Sequence, residues 1–391
     1  MPTTLLLDLT HSSHTRARTG VQRVSRALHR ELTGRALPVC FDPYQDKWRP
    51  LRMWELLNLE ASGPSTGRAA RWPLSARLGG LFRRLAGVPV DLGLGPDCAL
   101  IVPEIFSPGV ASALPSLLSR AGGPRVALFH DAIALQLPQF SPKSTAARFP
   151  HYMKELLLFD GVAAVSEDSR NALRDYWRWL GVSRTPVLTA ITLGIDPPRT
   201  SPVAAPSGDA PTVLCVGTLE GRKNHVALLD ACEALWTRGV SFNLRLIGIS
   251  NRETASAALE RVERLQAAGR PLRYEGEVDD RDLEVAYAQC SFTVYPSLAE
   301  GFGLPVAESL ARGRPCVCRI TGALGEVASG GGCVSIGAAT AAEISEAIGH
   351  LLDSPADRER LEREGRARHF KTWSAYAAEL LAWMGSLRRL A

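Results

Sequence analysis

The feature that most constrains this chain is a pattern that occurs twice: a short apolar run, a polar or glycine-bearing loop, then a segment with apolar residues at helical spacing. In the first half the apolar runs are TLLLDLT (4–10), CALIVPE (98–104), RVALFHD (125–131) and GVAAVSE (161–167). Runs this short and this continuously apolar fit strands buried on both faces, as in parallel sheets covered by helices. After the first run a polar loop, HSSHTRARTG, leads into VQRVSRALHREL, whose Val21, Val24, Leu28 and Leu32 share one helical face. Ser166, followed by Glu167 and Asp168, reads as a helix start whose acids complement the macrodipole.

The pattern stops over GIDPPRTSPVAAPSGDAPT, which is dense in Pro, Ser, Ala and Gly and reads as an interdomain linker. It resumes with TVLCVGT (212–218), FNLRLIG (242–248), LRYEGEV and FTVYPS, each followed by a helical segment. A chain of 391 residues suits two such domains. The expected organisation is an α/β chain of two doubly wound, Rossmann-like domains, 1–196 and 213–372, joined by a linker at 197–212. A last helix in 373–391 is expected to return to the first domain. Open sheets of this kind bind ligands outside the carboxyl ends of their strands, so the shared cleft is the predicted site.

Composition excludes several classes. The start, MPTTLLLDLT, meets an aspartate within its first apolar run and lacks the order of a signal peptide. No apolar run approaches the roughly 20 residues of a spanning helix, and a cytoplasmic protein is expected. The eight cysteines are scattered. The only close pair, Cys316 and Cys318, lacks the spacing of a zinc or redox motif, so reduced thiols are expected. Residues 1–200 contain 24 Lys plus Arg against 16 Asp plus Glu, a net +8, and with +5 for the whole chain the rest carries −3. A basic first half suits an anionic partner. No nucleic-acid reading element accompanies it, and no Gly-x-Gly-x-x-Gly follows the first strand as a dinucleotide oxidoreductase would require.

The strongest motif is Ser297-Leu-Ala-Glu300-Gly301-Phe302-Gly303-Leu304-Pro305-Val-Ala-Glu308. Pro305 stands where a first helical turn tolerates proline, and Gly301 and Gly303 let backbone N–H groups approach a ligand. A carboxylate one turn inside a helix, as at Glu308, can accept hydrogen bonds from two neighbouring hydroxyls such as those of a ribose. The plainer alternative makes Glu300 a helix cap and Glu308 a solvated residue. Lys223, in Gly217-Thr218-Leu-Glu-Gly-Arg222-Lys223-Asn224-His225, follows a strand and precedes a helix, a setting in which an ammonium and local N–H groups meet a diphosphate. Asp280-Arg-Asp282 has the look of a metal-binding pair, but its place at a helix start favours capping.

These motifs resemble the Glu, seven residues, Glu pattern and the accompanying loops of retaining nucleotide-sugar glycosyltransferases of family 4, which have the GT-B fold. Phe129-His130-Asp131, Gly194-Ile-Asp196 and Thr19-Gly20-Val-Gln-Arg23-Val extend the likeness toward members that build bacterial surface polysaccharides with mannose, rhamnose or related sugars. The resemblance implies a nucleoside-diphosphate sugar (GDP-, UDP- or dTDP-linked) as donor, a glycan or lipid-linked saccharide as acceptor, retention of configuration, and no cofactor or metal. It also implies catalytic roles for Glu300, His130 and Lys223, with Gly20, Thr218, Arg222, Lys223, Gly301, Phe302, Gly303, Leu304 and Glu308 as donor contacts. Arg18, Arg23 and Asp131 are acceptor candidates. His130 has a second reading as a satisfied core histidine.

Two departures from the family pattern stand out. Thr218 occupies the place where relatives usually have an arginine, so Arg222 is the substitute. In the first loop only Gly20 remains of a usual glycine pair, and His11, His14, Arg16, Arg18 and Arg23 bring positive charge instead. No third metal ligand lies near His11 and His14 in sequence. These departures leave a non-catalytic sugar-nucleotide-binding or scaffold protein of the same fold as the alternative.

Residues 68–85 carry a separate signal. Leu74, Leu78, Leu81, Phe82 and Leu85 form a helical stripe among Arg68, Arg71, Arg77, Arg83 and Arg84, with Trp72 as an interfacial anchor. Two outcomes are open. Either the segment rests on an anionic membrane as a basic amphipathic helix, or the stripe packs into the first domain's core.

Overall fold

The computed structural model describes residues 4–61, 69–92, 95, 97–196, 210–251 and 253–387. It divides into two compact units: 1–131 with 148–193 and 373–391, and 132–147 with 194–372.

The first unit holds a seven-stranded sheet. Its strands are β1 (Thr4–Asp8), β2 (Leu37–Asp42), β3 (Lys47–Pro50), β4 (Cys98–Val102), β5 (Arg125–Phe129), β6 (Gly161–Ala164) and β7 (Val187–Ala190). Their order is β3-β2-β1-β4-β5-β6-β7, and every pairing is parallel except that of β3 with β2. All five residues of β4 and all four of β6 are buried, as continuous apolar runs require. Helix α1 (Gly20–Glu31) follows β1 and buries Val24 and Leu28, with Leu32 buried just beyond it. Helix α2 (Met53–Glu60) follows β3, and α3 (Leu74–Leu85) precedes β4. Ser166 caps the helix Glu167–Trp179 by accepting from Ser169 N, with both acids in its first turn.

The second unit holds six strands: β8 (Thr212–Val216), β9 (Asn243–Ile247), β10 (Leu272–Tyr274), β11 (Phe292–Tyr295), β12 (Cys316–Arg319) and β13 (Cys333–Ile336). All pairings are parallel, in the order β10-β9-β8-β11-β12-β13. Strand order therefore reverses between β8 and β11, the place where doubly wound sheets open a ligand crevice. Beneath it, Leu228, Leu229, Leu235, Phe242, Phe292, Val294 and Ile348 contribute to one apolar core.

The two units differ from the domain bounds drawn from sequence at residues 132–147 and 194–196, while residues 373–391 group with the first unit as drawn. Residues 132–147 group with the second unit, where Phe140 lies against Gly221 so closely that a Cβ there would come within 2.6 Å of the ring. The helix Trp373–Ser386 groups with the first unit. It packs over the start of β6, where a Cβ on Gly161 would meet Leu387 at 2.7 Å and Trp383 at 2.8 Å. Ile195 pairs with Thr372 through an isolated parallel bridge, so the chain enters and leaves the second unit side by side. Residues 197–209 of the expected linker and 388–391 of the C-terminal segment lie outside the described residues. Among the described residues, no helix is long and apolar enough to cross a membrane.

Candidate active site

The loops that follow β8 and β11 meet where strand order reverses. Their backbones are joined by a hydrogen bond from Leu298 N to Arg222 O at 2.8 Å. The first loop makes a 3-10 turn, Gly221–Lys223, and passes through Asn224 in the left-handed region (φ 58°) before the helix His225–Thr237. Asn224 tolerates that conformation better than most residues, and its side chain anchors the turn by donating to Ala339 O at 2.8 Å.

This geometry brings three predicted residues together. Arg222 Nη1 donates to Glu300 Oε2 at 2.8 Å and to Ala299 O at 2.9 Å, and Lys223 Nζ donates to Glu300 Oε1. Glu220, buried and not singled out by sequence, pairs with Arg222 Nη2 at 2.7 Å. Burial alone would raise the Glu300 carboxyl, but the charges of Lys223 and Arg222 and the hydrogen bonds they donate bring it down to about 2. Glu300 is thus an ionised, fully engaged carboxylate, and its reading as a helix cap is set aside: the helix Leu304–Ala311 is entered through Gly303. Gly303 has φ 102°, a conformation that favours glycine, and a Cβ there would also come within 2.9 Å of Leu324 Cδ2. Gly301 and Phe302 are half-buried beside it, Leu304 is buried, and Thr218 is half-buried after β8.

Glu308 is 4% exposed, not solvated. Tyr287 Oη donates to its Oε2 at 3.4 Å, and Tyr287 and Tyr295 join through their hydroxyls at 3.1 Å. His225 is also buried, with Nε2 at 3.7 Å from Cys215 Sγ and no partner for Nδ1 among the described residues. Burial, then the Lys223 charge, drives its pKa down to about 3, so it is neutral at physiological pH.

In the first unit the remaining predicted residues are spread over several elements. His130 follows β5, is buried, and donates from Nε2 to Pro103 O at 2.7 Å. Burial lowers its pKa and keeps it neutral. One ring nitrogen of His130 is thus committed to the fold, as its reading as a core histidine expects. Asp131 is half-buried next to it. Gly20 opens α1 at an exposed position, and a Cβ there would meet nothing within 4 Å. Arg18 Nη2 donates to Ala61 O at 3.2 Å, and Arg23 is half-buried on the first turn of α1.

Sequence reasoning missed Glu104, which ends the CALIVPE run. Its carboxylate is buried and accepts from His11 N at 2.7 Å and Ser12 N at 2.8 Å, so it occupies the amides of the loop after β1. Asp8, at the end of β1, is raised to about 7 by burial and by the Glu104 charge. An acid at the end of an otherwise apolar strand was the available signal in both cases.

Tertiary structure brings candidate ligands to His14 from outside its sequence neighbourhood. His14, Cys40 and Glu55 offer ligand atoms that all lie within 4.8 Å of one another, and so do Cys316, Cys318 and Cys333 on paired β12 and β13. Neither group is contiguous in sequence. At the first group both Glu55 oxygens already accept from Arg49, at 2.7 and 2.6 Å, and His14 Nε2 lies 2.9 Å from Oε1. A guanidinium in that position repels an added cation. Asp280 and Asp282 lie in the first turn of the helix Asp280–Gln289, whose cap is Asp279, accepting from Asp282 N at 2.8 Å.

Residues 198–368 match the family model described as glycosyl transferases group 1. The second unit is a group 1 glycosyl transferase domain. Among curated proteins, the chain is 25% identical over 336 residues to the serotype-specific mannosyltransferase WbdA of Escherichia coli, covering 81% of this chain and 38% of that protein. The chain thus spans well under half the length of that relative. It is 31% identical to O-antigen chain mannosyltransferase B of E. coli over 258 residues, 62% of this chain and 63% of the other. Among solved structures, HepE of Anabaena in complex with UDP and glucose superposes with a TM-score of 0.69 at 17% identity, covering 98% of this chain and all of that one. Sucrose-phosphate synthase from Thermosynechococcus elongatus gives 0.67 at 20% identity, covering 97% and 98%. Together with two doubly wound units, these likenesses show the GT-B fold. The glycosyl transferase domain contains the Lys223–Arg222–Glu300 cluster, Thr218, the Gly301–Leu304 turn and Glu308, whereas Gly20, His130, Asp131, Arg18 and Arg23 belong to the first unit.

Proposed function

We propose that this chain is a retaining glycosyltransferase that moves a sugar from a nucleoside diphosphate to a growing, lipid-linked glycan in bacterial surface-polysaccharide synthesis. The observation that carries the reading is the pairing of Lys223 and Arg222 with Glu300 at the reversal point of a group 1 glycosyl transferase sheet. Two cations beside a helix start suit a diphosphate leaving group, whose developing charge they stabilise without a metal ion. Arg222 takes the part of the arginine replaced by Thr218. An arriving diphosphate competes with Glu300 for Lys223, which frees one carboxylate oxygen to face the transferred sugar. Glu308, buried beside Tyr287, is the ribose-gripping acid, and the turn Gly301–Leu304 supplies backbone contacts.

In the first unit, His130 is the neutral polar contact to the sugar, and Gly20 gives the donor close approach to the start of α1. Arg18, Arg23 and Asp131 take the acceptor. Retention is supported by the family resemblance. It fits a front-face departure in which the leaving phosphate receives the acceptor proton, and equally a glycosyl intermediate on Glu300. The enzyme is expected to act in the cytoplasm at the membrane surface that presents the acceptor.

GDP-mannose is the first donor to test, because the curated relatives are named as mannosyltransferases. A thermal-shift screen of GDP-, UDP- and dTDP-sugars reads binding before an acceptor is known, since stabilisation grows with ligand concentration over Kd. One nucleotide sugar is expected to raise Tm and to be slowly hydrolysed, with turnover unchanged by EDTA and the Tm shift lost in Glu308→Gln. No shift with any donor removes the reading, and loss of turnover in EDTA with recovery on manganese removes its metal independence.

A further inference from the structure

Helix α3 is amphipathic in the reverse of the usual sense. Its buried positions are Ala76 and Gly80. A Cβ on Gly80 would come within 2.7 Å of Tyr44 Cβ and 3.2 Å of Asp42 Oδ1, so small residues form the face that lies on the protein. Leu74, Leu78, Leu81, Phe82 and Leu85 share the opposite face and are 44% to 88% exposed. An ordinary surface helix buries its large apolar stripe. This one presents it to solvent, which decides against the core-packing reading of residues 68–85.

Helix α2 carries a second exposed apolar pair, and Trp72 links the two helices. Trp72, two residues before α3, is half-buried and not a free anchor. It stacks on His14 at 3.8 Å and meets Trp54 of α2 edge-on at 6.3 Å. On α2, Met53 and Leu57 lie one turn apart and are 70% and 58% exposed. Seven of the fifteen large apolar side chains exposed among the described residues thus belong to these two helices, a concentration that scattered surface leucines do not produce.

Charge singles out the occupant. Residues 61–90 contain five arginines and no acid. Arg68 lies outside the described residues. At helical spacing Arg77 and Arg84 run along the edge of the apolar face. Arg84 pairs with exposed Asp46 at 3.2 Å, and the Arg77 guanidinium lies 5.9 Å from the Tyr44 ring centroid. A second copy seated symmetrically on this face would set arginine against arginine. An anionic bilayer instead takes leucine and phenylalanine at the acyl boundary and arginine among its headgroup phosphates.

We propose that α3 is a docking surface for an anionic lipid bilayer. It stands independently of the sugar-transfer reading. The test is flotation of the full chain with phosphatidylcholine vesicles with or without phosphatidylglycerol, paired with sedimentation velocity in the absence of lipid. The wild type is expected to sediment as a monomer and to float with phosphatidylglycerol vesicles, with less binding as salt rises. Arg77→Gln/Arg84→Gln should weaken binding roughly ten- to thirtyfold. Leu78→Glu/Phe82→Glu should abolish it without moving the melting temperature, since both side chains are exposed. Four results overturn the proposal: no flotation with the anionic vesicles at low salt, equal binding to neutral vesicles, vesicle binding that survives Leu78→Glu/Phe82→Glu, or a dimer that this variant converts to monomer. The last would assign the face to a second copy.

Discussion

Arg222 and Glu300, 78 residues apart in sequence, are joined by a 2.8 Å ion pair where the second sheet reverses its strand order. Lys223 takes the other carboxylate oxygen. Glu300 therefore has two cationic partners, and losing one does not leave its buried charge uncompensated. This redundancy separates what the site does for the fold from what it does for a ligand.

Lys223→Ala is expected to lower kcat/KM by a factor on the order of 100 or more, the cost of removing one electrostatic contact to a developing charge. Arg222 still holds Glu300, so the melting temperature should change little. Turnover assays with circular dichroism on the same preparation check both halves. Near-normal turnover excludes Lys223 from the site.

Acid should weaken the second unit through Glu300. Its folded pKa of about 2 lies below the ordinary 4.5. The stabilisation is therefore complete above about pH 4.5 and is lost as pH falls through about 2. It is worth on the order of 2–3 kcal/mol. Denaturant titrations at pH 6, 4 and 3 should show a smaller loss in Glu300→Gln than in wild type, and parallel losses would contradict the assignment.

Asp8 has the opposite sign. Its folded pKa of about 7 exceeds the ordinary 3.8, so its contribution is full below about pH 3.8, declines as pH rises, and is exhausted above about 7. Asp8→Asn keeps the acceptor for Thr10, whose amide lies 3.0 Å from Oδ1. The variant should gain on the order of 2–4 kcal/mol relative to wild type between pH 4 and 8. An unchanged difference across that range refutes the shift.

Two glycines should respond differently to a side chain. Gly161→Val collides with Trp383 and Leu387 and is expected to cost about 1–3 kcal/mol as overpacking, with the helix Trp373–Ser386 exchanging its amide hydrogens faster. Gly20→Ala meets nothing within 4 Å and should leave stability unchanged. A fall in kcat/KM for Gly20→Ala then reports on substrate approach. Unchanged kinetics remove Gly20 from the donor contacts.

Eight of the thirteen strands among the described residues were legible as apolar runs, because a strand covered on both faces has little place for polar residues. Strands β2, β3, β7, β12 and β13 were not. Lys47 and Arg49 break up β3, which pairs at the antiparallel edge, and β12 and β13 are four residues each among glycines. In the candidate site, Lys223, Arg222 and Glu300 were legible because each stands in a strand-to-helix loop with telling neighbours. Glu220 was not, since a glutamate in a charged loop does not show in sequence whether it is buried.

Sequence by itself determined the two α/β units, the loops that carry the charged residues, and the acid-free, arginine-bearing apolar stripe. These depend on local periodicity and on which residue types a strand end or helix start accepts. Tertiary structure alone decided that Glu300 binds both cations, that Glu308 is buried beside Tyr287, and that α3 turns its leucines outward. Each of those outcomes depends on which distant residue occupies the facing space: Tyr44 and Asp42 leave no room for a side chain at Gly80, and no periodicity within α3 encodes that.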